Sequence, residues 1–235
     1  MNAFSLRARV AYALGRLFGL RVANPRHYVE ALCGANLTIN NGDKLGVIGY
    51  NGAGKTTFLR AVSGTYPPTS GRVQIDGTVT SLIDTTLGMD MEATGERNIF
   101  LKLVYQGKTF AQAKAATPAI IKLVELGEAI NEPIYTYSTG MVLRLAFVIA
   151  TFETPEILIM DEIIGAGDEK FRARIENRLN EIIDDSKICI ICSHDMEAIR
   201  KFCNRCILLV GGKIIADGDV EEVIQKYHAN IADND

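Results

Sequence analysis

Gly49-Tyr50-Asn51-Gly52-Ala53-Gly54-Lys55-Thr56-Thr57 decides how this chain is read. The run fits G-x-x-x-x-G-K-[ST], a phosphate-cradling P-loop. Its flanks agree. Leu45-Gly46-Val47-Ile48 is an apolar run suited to a buried strand entering the loop, and Thr56 to Val62 suits a helix leaving it. Glycines at 49, 52 and 54 let the backbone turn tightly and aim successive N–H groups into one concavity, a nest for anionic oxygens. The amino end of the following helix adds partial positive charge at the same point. Lys55 brings a mobile full charge toward β- and γ-phosphates, and the Thr56 hydroxyl is a hard oxygen suited to Mg²⁺. Asn51 and Thr57 complete the expected nucleotide-contacting set.

Downstream, Glu156-Ile-Leu-Ile-Met-Asp161-Glu162 is an apolar strand that ends in two acids. In an open parallel sheet the carboxyl ends of strands face the ligand crevice. Asp161 is therefore expected to hold Mg²⁺ or its water, and Glu162 to polarise the attacking water as general base.

The rest of the chain alternates in a way that supports such a sheet. Ile157–Met160, Phe171–Ile183, Ile188–Cys192 and Met196–Cys203 read as strand, helix, strand, helix. Arg205–Val210 and Lys213–Ala216 flank Gly211-Gly212 as a hairpin, and Val220–His228 reads as a last helix. Nearer the amino end, a strand is expected within 28–42, with short strands at Val73–Gly77 and Val79–Ile83. Residues 96–128 are expected to be mostly helical, and Ser138 is the N-cap of a helix running to Phe152. Residues 1–25 differ from everything else: Arg7, Arg9, Arg16 and Arg21 stand among Leu6, Val10, Leu14 and Leu17, with no acid. Two roles are open to this basic amphipathic segment. It can lie on an anionic membrane surface or a partner, or it can pack on its own domain.

Bulk composition narrows the function. The chain has 235 residues, 48% hydrophobic and 23% charged, which is the balance of a soluble globular protein. A net charge of −3 argues against general nucleic-acid affinity. No run reaches the roughly 18 apolar residues of a membrane span, and the basic start has no uninterrupted apolar core of a secretory signal. Five cysteines, an odd number, suit free thiols in a reducing compartment. Cys189-x-x-Cys192 and Cys203-x-x-Cys206 imitate a zinc ribbon, but 187–193 reads as an apolar strand, on which residues three apart point to opposite faces, so these cysteines are expected to be small core residues.

With these motifs in order, the chain resembles the ATP-binding subunits of ABC transporters over roughly 28–228. Tyr137-Ser138-Thr139-Gly140-Met141 stands where that family carries its signature motif, which closes over the γ-phosphate bound by the opposite subunit. The resemblance thus adds Ser138 and Gly140 to the nucleotide contacts, and Asp168 as the D-loop residue. Ser193-His194-Asp195 looks like the switch histidine, which makes His194 a γ-phosphate contact. Finer features look like the exporters of O-antigen and other cell-surface polysaccharides: Tyr-Ser-Thr-Gly-Met itself, Asp161 to Asp168, and Leu87-Gly88-Met89-Asp90 ahead of Thr94-Gly95-Glu96-Arg97-Asn98. Two positions depart from the pattern. Thr85-Thr86-Leu87-Gly88 stands where a Q-loop glutamine is usual, and the adenine-stacking aromatic does not align cleanly, with His27 and Tyr28 as candidates.

The resemblance implies an α/β P-loop ATPase core over 26–235, with an inserted helical subdomain at about 88–153 and a small antiparallel β subdomain near the N-terminus. It implies ATP and Mg²⁺ as ligands, a head-to-tail homodimer, and docking on a pair of integral membrane permease subunits at the cytoplasmic face of the inner membrane. Any glycan would be contacted through the permease, and no nucleic acid is expected. The rivals are a lipid or drug exporter and, in another class, a soluble ABC ATPase acting on DNA or ribosomes. A GTPase is disfavoured because no Asn-Lys-x-Asp motif is present.

Overall fold

The computed structural model describes residues 30–83, 85–161 and 169–232, with the side chains of 169–174 and 231–232 excepted. Within these, a single sheet has the strand order β2-β3-β4-β1-β5-β6. The strands are β1 (Lys44–Gly49), β2 (Val79–Ser81), β3 (Ile157–Asp161), β4 (Ile188–Cys192), β5 (Arg205–Val210) and β6 (Lys213–Gly218). Neighbours from β2 to β5 run parallel, and only β6 is antiparallel, as the Gly211-Gly212 turn requires.

Continuous apolar strands are the signature of a sheet covered on both faces. Leu45 and Val47 of β1 face one way, with Ile159, Ile190, Cys192 and Leu209, against Phe58 and Leu59 of α1 (Lys55–Val62). Ile48, Leu158, Met160, Ile191 and Leu208 face the other way. That second face is covered by α5 (Glu169–Asp185), α6 (Met196–Phe202) and α7 (Val220–Ala232), through Ile183, Ile199 and Val223 among others. The alternation separates the cysteines too. Cys189 faces the α5 side and Cys192 the α1 side, so their thiols cannot converge on one metal. Among the described residues no cluster of His, Cys, Asp or Glu could hold a metal ion. Burial pushes the thiols of Cys189, Cys203 and Cys206 up to about 12.

Between β2 and β3 the chain leaves the sheet and builds a second core. Helices α2 (Gly95–Tyr105), α3 (Phe110–Val124) and α4 (Thr139–Ala150) enclose Ile99, Leu103, Ile120, Val124, Ile134 and Leu145. Each helix starts on a capping side chain. Thr94 accepts from the Arg97 N–H, Thr109 forms a capping box with Gln112, and Ser138 accepts from the Met141 N–H. Helix α4 joins the two cores: Leu145 and Ile149 belong to the helical one, Phe147 and Ala150 to the sheet.

The amino-terminal strands differ from expectation. Residues 30–42 and 72–77 form no strand. Leu32, Leu37 and Ile39 instead lay their side chains on the α1 face of the sheet, and the segment is tied by single bonds, Cys33 N–H to the Gly212 carbonyl and Arg205 to the Thr38 carbonyl. Val73 and Ile75 are 41% and 38% exposed, so no face of 72–77 is buried enough to hold a ladder in register. The antiparallel strand pair among the described residues is β5 with β6. Residues 1–25, His27 and Tyr28 lie outside the described residues.

Candidate functional site

Strand register assembles the site. Asp161 at the end of β3 is level with Cys192 at the end of β4, and Cys192 is level with Val47 of β1. The loop after β1, the acid ending β3 and the loop after β4 therefore open on the same carboxyl edge of three adjacent strands.

Glycine is required where the loop begins. Gly49 has φ 152° and is pressed so closely on β5 that a Cβ there would lie 2.3 Å from the Leu209 carbonyl oxygen. Gly52 and Gly54 also take positive φ, 80° and 103°. Gly54 is the N-cap of α1, and no side chain caps this helix, whereas α2, α3 and α4 each have one. The amino end of α1 thus leaves its first N–H groups without a capping side chain, as an anion site there requires. Lys55 is buried, and its ammonium donates to the carbonyls of Gly49, at 2.6 Å, and Tyr50, at 3.0 Å. Asn51 is exposed at the loop tip, and Thr57 is half-buried on the first turn of α1.

The Thr56 hydroxyl donates to the Asp161 carboxylate at 3.0 Å. Residues 105 apart in sequence thereby place two hard oxygens side by side at the sheet edge. Two such donors, completed by phosphate oxygens and water, suit Mg²⁺, which rarely takes an all-protein cage. The residues present fit that ion.

His194 follows β4 by one buried residue, Ser193, and is itself exposed. Its loop is fixed on both sides: the Ser193 hydroxyl accepts from the Asp195 N–H, and the Asp195 carboxylate accepts from the Glu197 N–H to cap α6. Glu162 and Asp168 lie outside the described residues.

Ser138 and Gly140 belong to the helical core instead. Ser138 is exposed, and its hydroxyl accepts from Met141 at 3.3 Å. What holds it out is the residue before. Tyr137 is buried, and its hydroxyl donates to the Ala129 carbonyl at 2.5 Å. Burial raises its pKa. Gly95 makes room for that hydroxyl: a Cβ there would come within 2.3 Å of it.

Two polar side chains hold the turns that precede α2. Asn98, fully buried, accepts from the Asp90 N–H and donates to the carbonyls of Asp90, Ala93 and Thr94, locking the turn ahead of α2. Lys102 donates to the Thr85 and Leu87 carbonyls and so holds the turn that stands where a glutamine was expected; burial lowers its pKa. The signal for both was a polar residue on the apolar face of a helix.

A family described as "ABC transporter" matches residues 32–165, more than half of the chain. The chain belongs to the ABC transporter family. The solved cassettes it resembles share the fold. The ATP-binding subunit of an ABC transporter gives a TM-score of 0.69 at 21% identity, covering 84% of this chain and 87% of that one. An ATP-binding cassette dimer in a post-hydrolysis state, bound to ADP and phosphate, gives 0.65 at 24%, covering 81% and 90%. In sequence, the cassette is 42% identical over 79% of its length to the O-antigen export system ATP-binding protein RfbE of Yersinia enterocolitica, covering 78% of that protein. It is 37% identical over 92% of its length to RfbB of Myxococcus xanthus, with the same description. It is 39% identical over 84% of its length to the teichoic acids export ATP-binding protein TagH of Listeria innocua. The chain spans about half the length of RfbB, 49%, and 58% of TagH.

Proposed function

We propose that this cassette hydrolyses ATP to drive export of a surface polysaccharide, O-antigen-like in class, through a membrane permease. The observation that carries the ATPase reading is the sheet-edge site, where the uncapped α1, the buried Lys55 and the Thr56–Asp161 pair converge. The relatives named for O-antigen and teichoic acid export support a polymer over a drug or a simple lipid as cargo.

In this reading the loop N–H groups and Lys55 bind the β- and γ-phosphates, and the Thr56 hydroxyl and Asp161 would hold Mg²⁺. When bound, that ion neutralises charge on the phosphates. Glu162, next to Asp161 in sequence, orients and deprotonates the attacking water, and His194 contacts the γ-phosphate from the neighbouring strand end. No covalent intermediate is needed, because phosphoryl transfer is positioning plus charge stabilisation. Ser138 and Gly140 face outward on a core separate from the P-loop, so they act on the nucleotide of a second copy, with Asp168 at that junction. Two cassettes then enclose two ATP molecules head to tail.

No helix among the described residues is long and apolar enough to cross a membrane, so transport in this reading needs an integral membrane permease pair with the cassettes at its cytoplasmic face. Leu87 and Tyr105, 67% and 70% exposed beside the Gly88 turn, offer apolar surface for that contact. Residues 88–153 are the helical subdomain that would transmit it. The basic segment 1–25 would contact the membrane or permease, or pack on its own domain.

The test is Glu162→Gln. The amide keeps the shape of the carboxylate but cannot accept the proton. ATP should still bind, hydrolysis should stop, and light scattering after size exclusion should show a homodimer only with ATP and Mg²⁺. Wild-type turnover in the variant removes Glu162 as base. A variant that neither hydrolyses nor dimerises removes the sandwich. Co-purification from membranes then identifies the permease and its glycan; a lipid, a drug or no permease at all would favour the rival classes.

A further inference from the structure

Three glycines of the P-loop take positive φ, so the loop has few side chains of its own to anchor it. Its one aromatic side chain is Tyr50. That ring packs on Tyr227 of α7, with centroids 5.3 Å apart and planes tilted by 37°. The same residue carries the backbone atom on which the loop closes. The Tyr50 carbonyl accepts the Ala53 N–H at 3.1 Å and the Lys55 ammonium at 3.0 Å. Tyr50 therefore joins an aromatic contact from the last helix to the atom that holds the phosphate-binding lysine.

Helix α7 is a firm support for that contact. The Asp219 carboxylate accepts from the N–H groups of Glu221 and Glu222 at its amino end. Val223 and Ile224, each 1% exposed, bury against the sheet, and Arg200 of α6 binds Glu221 from the side. Tyr227 itself packs against the same cluster as Ile48 and Leu208, below the loop.

We propose that Tyr227 is a positioning residue for the P-loop: its ring fixes Tyr50, and through the Tyr50 carbonyl it sets the Lys55 ammonium, so that nucleotide affinity depends on how the last helix is seated. This rests on the reading of the loop as an ATP site. The ligand is unchanged; what is added is a line of contact from residues 220–232 to the phosphates.

The experiment is steady-state ATPase kinetics of Tyr227→Ala, Tyr227→Leu, Tyr227→Phe, Tyr50→Ala and the Tyr50/Tyr227 double alanine variant, with Lys55→Ala beside them. Tyr227→Ala and Tyr227→Leu should raise KM for ATP about three- to tenfold with kcat within about twofold, the range an aromatic pair contributes. Tyr227→Phe should restore wild-type KM, because the ring is kept. The double variant should be no worse than the poorer single one, since both break one contact. Unchanged KM in Tyr227→Leu, even with a lowered Tm, overturns the proposal and leaves α7 as packing alone. If Tyr227→Ala does not fold, Tyr227→Leu and Tyr50→Ala carry the same expectation and the same refutation. Retained ATP binding by Lys55→Ala would instead refute the ATP site itself, so the two failures are distinct.

Discussion

The sheet edge and the head of α4 hold their polar groups in place by opposite routes. At the sheet edge, parallel register brings three strand ends level, and the polar groups are already engaged with one another: Lys55 with the Gly49 and Tyr50 carbonyls, Thr56 with Asp161. At the head of α4, Ser138 is exposed and its hydroxyl is occupied only in capping its own helix, while the rigidity comes from Tyr137 buried behind it. One region is built to bind by itself. The other leaves a helix end exposed at the surface. Under the proposed head-to-tail pairing, a site divided this way would make ATP the joint between two copies.

The comparison breaks most visibly at Lys55. Lys55→Ala removes the mobile cation at the sheet edge, and ATP affinity and turnover should each fall by about 100-fold or more, the loss expected when a charged contact to phosphate disappears. Isothermal titration and a phosphate-release assay check this; near-normal activity would end the division drawn here. Ser138→Arg should leave ATP binding to the monomer within about twofold while hydrolysis falls about 100-fold, because the block lies at the presenting surface and not in the nest. If monomer binding falls as well, the signature residues act within the chain.

Gly95→Ala sharpens the contrast without touching either ligand surface. The new Cβ would meet the Tyr137 hydroxyl at 2.3 Å and Ile130 Cδ1 at 2.8 Å. Overpacking of this kind costs about 1–3 kcal/mol. Denaturant unfolding should show the loss, hydrolysis should weaken as Ser138 shifts, and ATP affinity at the P-loop should hold. Zinc should have the smallest effect of all. Cys189 and Cys192 face opposite sides of the sheet, and burial holds the Cys189, Cys203 and Cys206 thiols at about 12, far above the pH of the assay. Added zinc should leave Tm unchanged, and thiol reagents should react with these three only after unfolding.

Much of this protein was legible in the chain because the deciding patterns are local. A glycine-rich loop between an apolar strand and a helix, an apolar strand ending in Asp161, and a serine heading the helix at 139–150 each carry their physical reason within a dozen residues. The expected strand at 28–42 failed for a matching reason. Whether an alternating segment pairs or merely lays its apolar side chains on a neighbour depends on what lies beside it, and Leu32, Leu37 and Ile39 found the α1 face of the sheet instead of a partner strand. The same limit hid what Asn98 and Lys102 do, because their partners are backbone groups of turns some residues away. By itself the sequence determined which residues could bind phosphate and metal, because hydrogen-bonding capacity, charge and permitted φ belong to residue types. Only the tertiary structure decided which of them meet: strand register set Asp161 beside Thr56, and the seating of α7 set Tyr227 on Tyr50, 177 residues away in the chain. Such contacts are settled by the packing of distant segments, and no local pattern encodes them.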